Sequence, residues 1–203
     1  MIDFFFYIDL INTHLNNNFI LFSLLYFFSL IIFFSFSIPG GPIPQIISGF
    51  FFGFYLGFLI NIFAILIGSY FFVTFVQTIF KKFLNKIYLK FSNKLHNFIE
   101  NSSYEYLILF RLIQGNPLFV QNLCFSFLNI SKLKFFITSF IGLSPAVILF
   151  TYFGSKFYEM YEIKNITYSD IITRDFIFFI TIIIIILVLR IIYKKKFLNN
   201  KNK

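Results

Sequence analysis

Polar positions in this chain fall at the edges of long apolar runs and at two places inside them. Phe19 to Ile38, Phe135 to Phe153 and Phe176 to Tyr193 each approach the roughly 20 helical residues that a bilayer core about 30 Å thick requires, so each predicts one crossing. Arg190 stands near the end of the third, where its stem can snorkel to the interface. Ile46 to Phe80 breaks the rule. It is uncharged, and as a continuous helix at 1.5 Å per residue it would reach about 52 Å, too long for one span and short for two. Its entrance, IPGGPIPQIISGFFFGFYLG (Ile38 to Gly57), holds Pro39, Pro42 and Pro44 and glycines at 40, 41, 49, 53 and 57. A re-entrant segment over this Pro/Gly-rich part, followed by a crossing from Phe58 to Phe80, uses the length better. Tyr106 to Ile130 repeats the pattern, with an apolar start, a break at Gln114 to Pro117, and apolar residues again.

Composition identifies the solvent. With 59% hydrophobic and 12% charged residues in a chain of 203, there is more apolar surface than a water-soluble core of this size can hide. The chain reads as an all-α integral membrane protein. Phe is so abundant that aromatics alone carry no binding inference, and lipid-facing packing is their default role. Cys124, the only cysteine, lies in an apolar run, which leaves no disulfide framework and no cysteine-based metal site. His14 and His96 flank apolar segments without a partner at ligand spacing. No metal or cofactor is expected. The N-terminal MIDFFFYIDLINTHLNNN contains no Lys or Arg, unlike the start of a cleaved signal peptide, so the first apolar segment is expected to be retained.

Lysine and arginine accumulate in short cytoplasmic loops, which tests the span assignment. With the N-terminus inside and both broken segments entering and leaving on one side, the cytoplasmic side receives Lys81, Lys82, Lys86, Lys90, Lys94, Lys132, Lys134, Arg190 and the tail lysines 194, 195, 196, 201 and 203. The outer loop 154–175 holds Lys156, Lys164 and Arg174, offset by Glu159, Glu162, Asp170 and Asp175. This asymmetry supports cytoplasmic termini. It also accounts for most of the net charge of +9 without nucleic acid, as topology plus attraction to anionic lipid headgroups.

Under this topology the first broken segment enters from outside and the second from the cytoplasm, each followed by a crossing helix: an inverted repeat of re-entrant hairpin plus transmembrane helix, with flanking transmembrane helices. Non-helical backbone survives at membrane depth only where protein buries it or where it lines a wet cavity, so two breaks from opposite faces point to a polar site near the midplane. Pro39, Pro44, Gly49, Gly53, Gly57 and Pro117 would set the hairpin geometry. The competing reading is a kinked bundle with tight glycine packing, since Gly49, Gly53 and Gly57 have small-xxx-small spacing.

Arg111 is the only charge between Tyr106 and Ser131. A central arginine costs at least about 2.5–3.5 kcal/mol on insertion scales, and its planar fork matches phosphate oxygens. Gln114, Asn116, Gln121 and Asn122 lie close in sequence. Gln45 and Asn61 are the polar candidates of the first half, and Lys81 ends its crossing. The alternative for Arg111 is structural: pairing with Glu105 or Glu100, or capping carbonyls near the interface. Between the halves, apolar residues at 80, 83, 84, 87, 91, 95 and 98 alternate with Lys82, Lys86, Lys90 and Lys94 on another face. That is the periodicity of a basic interfacial helix, whose partner would be anionic headgroups.

Residues 38–154 resemble the VTT domain, also called the SNARE-associated Golgi protein family, in the Tvp-type branch related to bacterial DedA proteins. The resemblance rests on IPGGPIPQIISGFFFGFYLG, then IGSY (Ile67 to Tyr70) leading to a basic residue at Lys81, then RLIQGNPLFVQN (Arg111 to Asn122), IGLSP (Ile141 to Pro145) and FGS (Phe153 to Ser155). It implies two facing re-entrant hairpins and movement of phospholipids or polyprenyl phosphate carriers between leaflets. By position, Arg111 matches the arginine of the second hairpin, Pro117 the proline after it, and Asn122 an asparagine common in this branch. Lys81 stands where an arginine is usual, Gln114 where a further proline is common, and Ser126 where a glycine is expected. Gln45 occupies the region where DedA members carry an acidic residue linked to proton coupling, which favours a passive or non-proton mechanism.

Enzymatic readings fit less well. Both histidines lie outside the spans, against an intramembrane serine protease. No two acidic residues cluster in a membrane segment, against metal-dependent phosphatidyl transfer. The chain therefore divides into 1–37 (N-terminal segment and first span), 38–154 (the repeat with its basic connecting helix) and 155–203 (outer loop, last span and lysine-rich tail). The expected function is a lipid transporter of flippase or scramblase type in the bacterial inner (plasma) membrane. A structural or tethering membrane protein and a small-solute transporter are the alternatives.

Overall fold

A computed structural model describes residues 18–83, 104–112, 117–128 and 130–162, with the side chains of 80–83 and 158–162 outside that description. The basic connecting segment, Gln114, Asn116, the third expected span and the lysine-rich tail also lie outside the described residues, as does the side chain of Lys81. The chain divides into two units, Met1–Tyr158 and Glu159–Lys203, and both hairpins with their packing belong to the first.

The described secondary structure is helical. Helix α1 spans Phe19–Ser35, α2 Pro42–Phe83, α3 Tyr104–Leu112, α4 Leu118–Ser126 and α5 Lys132–Glu162. Helix α1 stops three residues short of the expected Ile38. Ser37 adopts a positive φ of 47° and Gly40 one of 99°, and the prolines beyond cannot continue a helix. The early stop turns the Ser37 side chain into the interior, where it is 4% exposed.

The Pro/Gly-rich entrance is more helical than its composition suggests, which corrects the expectation of a non-helical stretch. Pro42 is the first helical residue and Pro44 lies in the first turn, where a backbone N–H has no intrahelical partner anyway. One residue breaks the helix. Gly53 sits at φ 72° and ψ 178°, a region essentially reserved for glycine. The crossing limb therefore begins at Phe54, four residues before the expected Phe58.

The break reverses the chain. Residues 45 and 61 would stand about 24 Å apart along a straight helix, yet Asn61 Nδ2 donates to the Gln45 carbonyl at 3.2 Å. Helices α3 and α4 are likewise folded back on each other. The Phe110 and Phe125 rings stack with centroids 6.1 Å apart, against about 22 Å along a continuous helix. Each half thus contains a pair of helical limbs folded back on each other, turned at Gly53 in the first and packed as α3 against α4 in the second.

Two apolar clusters hold these hairpins. Leu30 and Phe34 of α1 meet Ile60, Ala64 and Ile65 of α2 and Leu143 and Val147 of α5. Phe72, Val73 and Val76 of α2 meet Leu107, Phe125, Leu128 and Phe135 around the second hairpin. The Tyr26 hydroxyl donates to the Pro44 carbonyl at 2.6 Å and its ring lies 5.3 Å from Phe52, pinning α1 along the first limb.

The distribution of polarity is inverted relative to a water-soluble protein. Ile20, Leu25, Phe28, Ile32, Phe75 and Leu133 are more than half exposed, while Gln45, Ser48, Asn61, Ser69, Arg111, Asn122 and Thr151 are buried. Such a continuous apolar exterior needs an apolar solvent. Helix α2 beyond Gly53 and α5 each reach about 45 Å, enough to cross a hydrocarbon core of about 30 Å.

Candidate functional site

The first hairpin closes on Asn61. Its Nδ2 lies within hydrogen-bonding distance of the Gln45 carbonyl, Ser48 Oγ and, at 2.8 Å, Thr151 Oγ1 of α5. The Ser48 hydroxyl also donates to the Gln45 carbonyl at 2.9 Å. Close approach of backbones makes this possible. A Cβ on Gly49 would strike the Thr151 carbonyl, one on Gly154 the Ile46 carbonyl, and one on Gly57 would come within 2.9 Å of the Ser48 carbonyl. Gly49 and Gly57 therefore serve packing, whereas Gly53 serves conformation, with no atom within 4 Å of its would-be Cβ.

The second hairpin closes on Arg111. This residue is 0% exposed. Its Nη1 donates to Asn122 Oδ1 at 2.8 Å, and its guanidinium carbon lies 4.1 Å from the Phe125 ring centroid and 5.4 Å from that of Phe135. Asn122 is oriented in turn by two hydroxyls, its Nδ2 donating to Ser37 Oγ at 3.0 Å and Ser69 Oγ at 3.2 Å. On α5, Gly142 leaves room for the arginine stem, because a Cβ there would strike Arg111 Cβ.

A charge-assisted hydrogen bond contributes about 1.5–3 kcal/mol and a desolvated cation–π contact about 2, which offsets the insertion cost of about 2.5–3.5 kcal/mol. It does not satisfy the whole fork. Arg111 Nε and Nη2 are buried and find no acceptor among the described residues, and the Ser139 hydroxyl, one turn before Gly142, is in the same condition. The planar N–H donors of a guanidinium suit the oxygens of an anion.

A family model, the VTT domain, matches residues 38–156, more than half of the chain. The chain belongs to the VTT domain family. No curated protein and no solved structure matches it significantly. Membership and the apolar helices make it a membrane protein of the DedA type.

Within the VTT domain, the expected site residues fall into two centres. Arg111 and Asn122 meet directly, as do Gln45 and Asn61. Asn61 and Ser69 mark the two centres on α2, eight residues or about 12 Å apart. Gln121 is buried beside Asn122. Pro117 caps α4 with φ −53° and ψ 142°, and Pro39 lies exposed in the turn before α2. Sequence reasoning missed Ser37, Ser69, Thr151, Ser139 and the two rings against Arg111. A partial signal was present: IGSY, IGLSP and FGS each carry a glycine, and Gly68, Gly142 and Gly154 are all points of close backbone or side-chain approach. Among the described residues, no cluster of His, Cys, Asp and Glu is placed to hold a metal ion.

Proposed function

We propose that this protein moves phosphate-bearing lipids between the leaflets of the bacterial inner (plasma) membrane, without catalysing a chemical step. The observation that carries this reading is the fully buried Arg111, whose Nε and Nη2 find no acceptor among the described residues. A lipid phosphate is an anion that reaches such a depth with its tails still in hydrocarbon, and a bidentate guanidinium contact suits its oxygens.

The hairpins support a re-entrant arrangement. The limbs Pro42–Phe52, α3 and α4 measure about 16, 13 and 13 Å, each near half the thickness of a hydrocarbon core of about 30 Å, while the return limb after Gly53 is the crossing helix itself. An inverted repeat is supported by contacts that join the halves through the crossing limb of α2: Asn61 on that limb reaches Thr151 on the crossing helix α5, and Ser69, about two turns further along it, accepts from Asn122 of α4. In this reading both termini are cytoplasmic and the lysine face at 82, 86, 90 and 94 rests on anionic headgroups.

The test is leaflet exchange of a fluorescent phospholipid in proteoliposomes, with dithionite destroying only outer-leaflet label. Loss of clearly more than half the signal with protein, against half in empty vesicles, is the expected result. Correctly inserted protein that matches empty vesicles for both a phospholipid and a polyprenyl phosphate would overturn the lipid reading and leave solute transport or tethering.

A further inference from the structure

A groove of about 570 Å³ opens on the membrane-facing side between α2 and α5, lined by Phe63, Leu66 and Ile67 on one wall and Phe136, Phe140 and Ile141 on the other. Every residue lining it is apolar. Its rim is open to the surroundings, with Phe63, Phe140 and Ile141 exposed by 49%, 42% and 47%. Paired crossing helices usually close such a gap with interlocking side chains. Here they leave a space in the size range of ligand pockets.

The groove leads toward the buried cation. Leu66 lies one helical turn before Ser69, which holds Asn122. Ile141 precedes Gly142, the residue that makes room for Arg111. One aromatic layer stands between them: Phe136 lies 5.2 Å from the Tyr70 ring and 5.6 Å from Phe135, whose ring centroid is 5.4 Å from the guanidinium carbon. An apolar trough with an open rim thus lies one aromatic layer from a cation whose Nε and Nη2 find no acceptor among the described residues. This juxtaposition matches one molecule with a hydrocarbon chain and a phosphate at its end.

We infer that the α2–α5 groove binds one hydrocarbon tail of the lipid whose phosphate engages Arg111, and that Tyr70, Phe135 and Phe136 form the movable wall between tail and headgroup. The inference rests on the phosphate reading of Arg111 and adds the route by which the lipid is held. It assigns specificity to two features together, an apolar tail and a terminal anion.

The chain contains no tryptophan, so one introduced residue becomes its sole indole reporter. Phe140→Trp places that reporter on the groove rim, and Leu24→Trp places a control on the exposed outer face of α1. Both full-length variants, checked for native helicity by circular dichroism, are titrated in maltoside micelles with phosphatidic acid or diacylglycerol carrying identical dibrominated tails. No background lipid then carries phosphate. The expected result is that phosphatidic acid quenches Phe140→Trp at about tenfold lower mole fraction than diacylglycerol, the scale of one charge-assisted contact. The two lipids should quench Leu24→Trp alike, and adding Arg111→Ala should abolish the preference at Phe140→Trp.

Equal quenching by the two lipids at the groove would show that it collects only annular hydrocarbon and would overturn the inference. A preference that survives Arg111→Ala would overturn it too, by separating the tail in the groove from the buried cation. Leaflet exchange measured on wild type keeps the two proposals apart. Flux without groove preference removes the groove and leaves transport standing, whereas preference without flux leaves a lipid site and removes transport.

Discussion

The two hairpins solve the same folding problem with opposite chemistry. The first is closed by neutral groups, with Asn61 against a carbonyl and two hydroxyls, and by glycines that let backbones touch. The second is closed by a charge, with Arg111 against one amide oxygen and two aromatic rings; its Nε and Nη2 find no acceptor among the described residues, where the first hairpin leaves only the neutral amide oxygens of Gln45 and Asn61 without a donor. Tight backbone packing leaves little room for a ligand, whereas an incompletely satisfied guanidinium gains by binding one. On the proposed reading, the first hairpin supplies architecture and the second ligand recognition.

The sharpest way to break this assignment is to crowd the first hairpin. Gly49→Ala and Gly154→Ala each drive a methyl into a backbone carbonyl of the opposing helix, and neither carbonyl can move without its helix. Both variants are expected to lose most folded protein, read as monodisperse material after detergent extraction. Folded variants with ordinary thermal stability would show that the close contacts are dispensable.

The next largest effect belongs to the second hairpin. Arg111→Ala removes a charge, a hydrogen bond and the proposed phosphate contact. Leaflet exchange should fall by about 30- to 100-fold, corresponding to roughly 2–3 kcal/mol, while insertion and extraction yield stay near wild type. A folded variant with unchanged flux would take the residue out of the mechanism.

The two long apolar helices α2 and α5 were legible because apolar run lengths can be measured against the bilayer, and the start of α4 after Pro117 was legible because a proline-containing interruption has few other uses. The exact turn of the first hairpin was not. Pro42 and Pro44 look like breakers yet fit a helix start, and five nearby glycines look alike although only Gly53 combines positive φ with a break inside the helix. Arg111 stood out by its cost in a membrane, but the side chains that orient its partner did not. Ser37 and Ser69 lie 85 and 53 residues from Asn122, and small hydroxyl residues in apolar helices give no sign of which neighbours they will meet. Thr151 is 90 residues from Asn61 and was hidden for the same reason.

A smaller effect separates conformation from crowding within the first hairpin. Gly53→Ala meets no atom, so its only cost is the backbone geometry, about 1–3 kcal/mol. The variant should fold with a lowered unfolding midpoint, unlike Gly49→Ala. Equal damage from both would mean that the turn, rather than the contact between limbs and α5, limits folding.

The finest distinction uses two hydroxyls that join different elements, Thr151 of α5 and Ser69 of α2. Thr151→Val keeps the shape and removes one acceptor from Asn61, which retains the Gln45 carbonyl and Ser48; a net loss of about 1 kcal/mol is expected in thermal unfolding, with flux unchanged. Ser69→Ala removes one of two acceptors from Asn122, which retains Ser37, so its stability cost should be no larger. Its consequence for flux should be larger, because Asn122 aims Arg111, and a less constrained amide leaves the guanidinium less well placed for a phosphate. A flux reduction of a few fold in Ser69→Ala, restored by Ser69→Thr, with none in Thr151→Val, would mark the second hairpin as the one whose polar contacts position a ligand. If both hydroxyl deletions change flux equally, the two hairpins act as one gate, and the division of labour between them is wrong.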